Sequence, residues 1–179
     1  MTTADLRWAS APRWRAPELP AAACYLACWF GEQARQRAEE LLAAADPQAP
    51  VQRAGFADQW SPAAEAELGR LIGECRTGVR IILAGSEAVV MRAMSLAREH
   101  GACSEELFPV AVEAAGEHAS GPAVRRVHCV TCGRPFDAVA ALGGTVSCPG
   151  CAAVLTVDSG FSRAHAAYLG WPPDPEARP

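Results

Sequence analysis

Two C-x2-C pairs constrain the fold of this chain more than any other feature of its sequence. The segment CVTCGRPFDAVAALGGTVSCPGC places fifteen residues between the pairs, which is the spacing of a zinc ribbon. A glycine follows the first pair and another lies inside the second (Gly133 and Gly150), where a tight turn needs positive φ. Four thiolates with no further ligand describe a closed, structural metal site. The predicted ligands are Cys129, Cys132, Cys148 and Cys151.

The residues between the two pairs predict a strand, a turn at Gly143 and Gly144, and a returning strand. A site of four sulfurs also suits iron, either as a rubredoxin-type centre or as a [2Fe–2S] cluster. Zinc is favoured because Phe136 is the single aromatic residue between the pairs, whereas rubredoxin-like proteins shield their iron with more aromatic rings. His128 is interpreted as a strand residue beside the site, since adjacent residues rarely reach one ion.

The composition excludes several functional classes. All sixteen basic residues are arginines, so a Walker lysine and a Schiff-base lysine are absent. The net charge of −4 argues against a dedicated nucleic-acid binder. No signal peptide or membrane-spanning run is recognised, and the chain is expected in the cytoplasm. There, four further cysteines are expected to be reduced, buried thiols: Cys24, Cys28, Cys75 and Cys103.

Residues 21–115 alternate between apolar β-branched runs and amphipathic helical patterns. Strands are predicted at residues 23–30, 51–54, 79–84 and 108–112, and helices at residues 32–45, 62–76 and 87–100. Alternation of this kind predicts right-handed crossovers and a small parallel sheet covered on both faces. The expected fold class is therefore α/β: a small Rossmann-like parallel-sheet domain followed by a four-cysteine zinc-ribbon β domain.

The predicted domain organisation follows from these patterns. It comprises an N-terminal arm (1–20), the α/β domain (21–115), a linker (116–123), the zinc ribbon (124–158) and a C-terminal tail (159–179). Residues 162–169 of the tail are expected to form a short helix, which the following prolines end.

Open parallel sheets bind ligands at the carboxyl ends of their strands, so the turn at Gly85 and Ser86 is the candidate cofactor-binding site. The alternative is that Ser86 is an ordinary helix cap. No glycine-rich phosphate loop follows the first strand. No catalytic residues are predicted, and His100, His118 and His165 are each interpreted as isolated surface or packing residues.

The C-terminal third resembles the ribbon domain of the family of A-like subunits of dimethylamine monooxygenase. The resemblance lies in the two cysteine pairs and in the following LxV, FSR and AAYLG motifs, which begin at Leu155, Phe161 and Ala166. Residues 78–108 also resemble the end of a ferredoxin-reductase-type NAD(P) domain. The Cys and Pro of that family's strand–helix turn are replaced here by Ala84 and Ser86.

The resemblance implies membership of an NADPH-dependent enzyme complex that oxidatively demethylates dimethylamine to methylamine and formaldehyde. This chain is expected to be a non-catalytic, zinc-stabilised subunit that contacts the other subunits through its α/β half and residues 161–171. Haem, FMN and iron–sulfur centres are expected only in those partner subunits, and neither nucleic acid nor membrane is an expected partner. The alternatives are a rubredoxin-like electron carrier and a stand-alone zinc-ribbon interaction module.

Overall fold

A computed structural model of the chain describes residues 18–112, 121–162 and 164–173, which form two compact units, one on either side of residues 113–120. In the first unit, strands alternate with helices as the sequence predicts. Its elements are β1 (Cys24–Phe30), α1 (Glu32–Leu42), β2 (Val51–Phe56), α2 (Pro62–Gly73), β3 (Val79–Gly85), α3 (Glu87–Glu99) and β4 (Leu107–Ala111). The predicted α/β class of this half is therefore confirmed.

The sheet of the first unit is parallel throughout, with the strand order β2-β1-β3-β4. Its central strands are buried on both faces, which explains why they are almost continuously apolar. One face packs against α2 and α3, and the other packs against α1. Alternate residues of β1, such as Leu26 and Ala27, point to these two opposite cores.

Local sequence signals set the helix ends in this unit. Ser61 precedes Pro62, and the Ser61 hydroxyl accepts a hydrogen bond from the Ala64 N–H at 3.1 Å, so α2 has the predicted serine cap. By contrast, the side chain of Ser86 makes no capping hydrogen bond with α3. The interpretation of Ser86 as an ordinary helix cap is therefore wrong for its side chain.

The second unit is a five-stranded sheet in the order β6-β5-β9-β8-β7. Its strands are β5 (Ala123–Cys129), β6 (Pro135–Ala140), β7 (Thr145–Ser147), β8 (Val154–Ser162) and β9 (Ala167–Trp171). β5 and β9 are parallel, and every other neighbouring pair is antiparallel. The two strands between the cysteine pairs do form, but β6 pairs with β5 and β7 pairs with β8 rather than with each other.

The C-terminal segment differs from the sequence prediction. Residues 167–171 form β9 instead of continuing a helix from residue 162, and β9 lies between β5 and β8. Two ladders of backbone hydrogen bonds outweigh the helical preference of the alanines in this segment. The predicted boundary after Asp158 falls inside β8, so the LxV and AAYLG motifs lie in strands of the ribbon sheet. The predicted arm and linker lie largely outside the described residues.

Gly170 permits the close packing of β9 in this sheet. A Cβ at this position would lie 2.8 Å from Cγ1 of Val127 and 3.0 Å from Cδ1 of Leu155, both of which are fully buried. A side chain larger than hydrogen would push β9 away from the core. The glycine of the AAYLG motif is thus explained by packing.

The four cysteines outside the pairs are all free thiols, as expected. Burial, followed by the nearby Cys75, raises the pKa of Cys28 to about 12, so Cys28 stays protonated. Cys103, however, is exposed, so the prediction of a buried thiol is wrong there, because its turn between α3 and β4 lies at the surface. Among the described residues, no helix combines the length and apolarity needed to cross a membrane.

Arg125 is the largest fully buried side chain of the described residues, with 1% of its surface exposed. Its Nε donates to the Ala140 carbonyl at 3.0 Å, and an Nη donates to the Gly121 carbonyl at 3.1 Å. Its guanidinium carbon also lies 5.2 Å from the centre of the Tyr168 ring. Arg125 therefore ties β5 to the end of β6 and to β9.

We expect Arg125→Ala to lower the free energy of unfolding of the ribbon by about 3 kcal/mol, because buried carbonyl groups lose a charged donor. Amide hydrogen exchange of β5 and β9 measures this loss. The matched control is Arg126→Ala: this neighbouring side chain is partly exposed, and its Nη1 lies 3.9 Å from Asp137. We expect a cost below about 1 kcal/mol for it. Equal effects of the two variants would contradict the role assigned to Arg125.

Candidate metal centre

The four predicted ligands come together at one end of the ribbon sheet. Their sulfur atoms all lie within 4.8 Å of one another. Sγ of Cys129 is 3.8 Å from Sγ of Cys151, and Sγ of Cys132 is 3.6 Å from Sγ of Cys148. Zinc bound tetrahedrally by sulfur at about 2.3 Å requires sulfur separations of about 3.8 Å. The arrangement of the donors therefore fits a single tetrahedral metal ion.

Each cysteine pair lies in a turn with the same backbone hydrogen bonds. In the first turn, Cys129 N–H donates to the Arg134 carbonyl at 3.0 Å, and Gly133 N–H donates to the Cys129 carbonyl at 2.8 Å. In the second, Cys148 N–H donates to the Ala153 carbonyl at 2.9 Å, and Ala152 N–H donates to the Cys148 carbonyl at 2.8 Å. The two halves of the site are thus built by one repeated local structure.

The repeated turn has a left-handed residue after its second cysteine. Gly133 has φ 72° in the first turn, and Ala152 has φ 60° in the second. The expectation that Gly150 supplies this freedom is therefore wrong, since Gly150 is not among the residues with positive φ. Alanine is strained in this region because its Cβ approaches a carbonyl oxygen.

Burial and amide donors define the electrostatics of the site. Cys129 and Cys148 are buried, Cys132 is half-buried and Cys151 is exposed. Burial alone would raise the pKa of the Cys148 thiol, but the N–H groups of Gly150 and Cys151 outweigh it and hold this pKa below its usual value. The Gly150 N–H lies 3.3 Å from the Cys148 sulfur. The turn thus stabilises a thiolate, which is the form that binds metal.

The apolar surroundings close the site on its inner side. Leu155 is fully buried against Cys129 and Cys148, and four partly buried residues pack around them: Cys132, Phe136, Val146 and Ala153. Across the described ranges 18–112, 121–162 and 164–173, no other group of three His, Cys, Asp or Glu residues has metal-ligand spacing.

His128 is not one of the clustered ligands, in agreement with the sequence interpretation. Its ring stacks on His165 with the ring centres 4.0 Å apart and the planes inclined by 6°. Burial and the neighbouring His165 lower the pKa of His128. The sequence does not predict this stack, because 36 residues separate the two histidines along the chain and nothing in their local sequences relates them.

The carboxyl end of the parallel sheet, where a dinucleotide would bind, is filled by the chain itself. A Cβ on Gly85 would lie 3.2 Å from Cβ of Phe30, whose ring stacks between Phe56 at 4.9 Å and Trp60 at 5.7 Å. At the start of α1, an ideal Cβ on Gly31 would lie 1.6 Å from Oδ1 of Asp58. Aromatic rings and a carboxylate therefore occupy the space around the candidate turn, and these residues do not fit a dinucleotide phosphate.

The strained turn leads to a prediction about stability. We expect Ala152→Gly to stabilise the ribbon by about 1 kcal/mol, because glycine adopts positive φ without a Cβ clash. The matched reverse change, Gly133→Ala, is expected to cost about as much, although a Cβ at Gly133 would meet no atom within 4 Å. Urea denaturation of the metal-loaded protein measures both. If the two changes shift stability in the same direction, left-handed strain does not govern these turns.

Comparison with known proteins places the C-terminal part of this chain. Residues 126–171 match the family model described as "Dimethylamine monooxygenase subunit DmmA-like, C-terminal domain". The chain is also similar to a protein of Ectopseudomonas mendocina (strain ymp) named "Heme-dependent oxidative N-demethylase delta subunit". The two are 33% identical over 103 residues, which is 58% of this chain and 53% of that relative. This chain therefore spans about half the length of the curated relative it matches.

No solved structure matches this chain. The matched segment begins within β5, contains all four clustered cysteines and ends at the last residue of β9. The boundaries of the family domain thus coincide with the metal-binding part of the ribbon sheet. Through residues 126–171, this chain belongs to the dimethylamine monooxygenase subunit DmmA-like family.

Proposed function

We propose that this chain is a non-catalytic subunit of a multi-subunit, NADPH-dependent dimethylamine monooxygenase. The complex would oxidatively demethylate dimethylamine to methylamine and formaldehyde. One observation carries the proposal: residues 126–171 match a domain described as part of a dimethylamine monooxygenase subunit. The relative named as a delta subunit of an oxidative N-demethylase supports the same complex class.

In this proposal, the four-sulfur cluster holds a structural zinc ion. Cys129, Cys132, Cys148 and Cys151 would occupy all four coordination positions, which leaves no position for water or substrate. A closed zinc site contributes folding free energy and takes no part in catalysis. The sulfur separations support one tetrahedral ion rather than a cluster that contains several iron atoms.

The redox cofactors belong, in this proposal, to partner subunits. Haem, FMN, an iron–sulfur centre and the NADPH site would all lie outside this chain. The filled space around Gly85 and Ser86 supports this assignment for NADPH. The parallel-sheet unit would then be a Rossmann-like scaffold that has lost its nucleotide site. We further propose that the chain works in the cytoplasm, where its free cysteines remain reduced.

The ribbon sheet offers a surface for a partner subunit. Val124 and Val139 pair across β5 and β6 and are 47% and 70% exposed, on the face opposite the buried Arg125 and Val127. In the 161–171 segment, Tyr168 points into the core, while Leu169 and Trp171 remain partly exposed. We therefore narrow the proposed contact to the outward side chains of β5, β6 and β9.

We expect zinc removal and the loss of one ligand to disrupt assembly together. Cys148→Ser should abolish stoichiometric zinc binding, unfold the ribbon and prevent co-purification with the haem subunit, because metal binding and folding are coupled. Metal analysis and affinity purification of the co-expressed complex measure these effects. Cys103→Ser is the matched control, since it removes an exposed thiol from the other unit.

The same preparation separates the alternatives. A colourless wild-type protein with one zinc per chain is the expected result. A visible absorption band with reducible iron would replace the proposal with a rubredoxin-like electron carrier. Zinc binding without any association with the oxidase subunits, under conditions where those subunits assemble, would leave only an interaction module and would overturn the assignment to the complex.

A further inference from the structure

Gly150 requires an explanation other than backbone freedom, because it lacks positive φ. A Cβ on Gly150 would lie 3.0 Å from Cδ of Arg134, 3.7 Å from Nη1 of Arg134 and 3.5 Å from Sγ of Cys132. The aliphatic part of the Arg134 side chain therefore crosses directly over the Gly150 backbone. Gly150 is the gap that admits this arginine to the second cysteine turn.

Arg134 belongs to the first cysteine turn through its backbone. Its carbonyl accepts from Cys129 N–H at 3.0 Å, and its own N–H donates to the Cys132 sulfur. Its side chain then reaches the second turn at Gly150, whose N–H donates to the Cys148 sulfur. A single residue thus contacts both halves of the four-sulfur cluster.

The charges around the cluster give this contact a purpose. A divalent ion with four thiolates carries a net charge of about −2. Within the described residues, Arg134 has no ion pair with a carboxylate, whereas the guanidinium of Arg126 lies 3.9 Å from Asp137. The guanidinium of Arg134 is therefore available to the metal–thiolate centre.

We propose that Arg134 is the charge partner of the metal–thiolate centre, and that Gly150 is required to position it. The guanidinium offsets part of the negative charge on the sulfurs and so favours the metal-bound form of the turns. This assignment rests on the proposal that the cysteines bind zinc. It is a role for a positioning residue, since the four sulfurs alone bind the ion.

The test is the zinc affinity of the purified full-length chain, measured by competition with a chromophoric chelator. At low ionic strength, Arg134→Gln should weaken zinc binding about two- to fivefold, the range for a partly exposed charge interaction. Arg134→Lys should retain most of the affinity. High salt should remove the difference between wild type and Arg134→Gln, because it screens the interaction. Arg76→Gln is the matched control, since it removes the same charge from an exposed position in the other unit.

Gly150→Ala keeps the N–H donor to Cys148 but displaces the Arg134 side chain. It should weaken zinc binding as Arg134→Gln does, and the double variant should be no weaker than either single variant, because both remove one interaction. Full additivity would overturn the assigned role of Gly150. Wild-type affinity in Arg134→Gln at low salt, or an equal loss in Arg134→Lys, would overturn the role of Arg134. Failure of the wild-type chain to bind zinc would instead contradict the proposed function.

Discussion

The convergence of two cysteine turns on one point is the constraint on which the ribbon unit depends. Each turn is local and folds its own backbone hydrogen bonds, but four thiols at van der Waals distance have no strong reason to stay together without an ion. The sheet has to present the turns face to face, and a metal ion has to hold them there. β5 ends in the first turn and β8 begins after the second, so the separation of these strands sets the geometry of the site.

β9 determines that separation, since it lies between β5 and β8 in the sheet. Its Gly170 is paired with Cys129 of β5 and with Val157 of β8, and it contacts the core without a side chain. The AAYLG motif is therefore part of the foundation of the metal centre rather than an appended docking tail. This arrangement explains why the matched family domain extends to residue 171, twenty residues beyond the last cysteine.

Much of the fold follows from short-range sequence patterns, and the failures have physical causes. The apolar runs around Leu26 and Ile82 predict parallel strands because burial on both faces demands continuous hydrophobicity. The four ligands follow from spacing alone. The Ala-rich segment before Tyr168 has a helical pattern, and the partner strands that make it a strand are distant in sequence. Similarly, the left-handed conformation of Ala152 is imposed by the turn and contradicts the local preference of alanine.

The central claim is that one ion binds all four sulfurs and thereby holds the ribbon that joins this subunit to its enzyme. X-ray absorption spectroscopy of the purified full-length chain at the metal edge tests it most directly. The account predicts zinc with four sulfur ligands at about 2.3 Å and no nitrogen or oxygen ligand. A mixed coordination shell, a water ligand, or iron in place of zinc would contradict it.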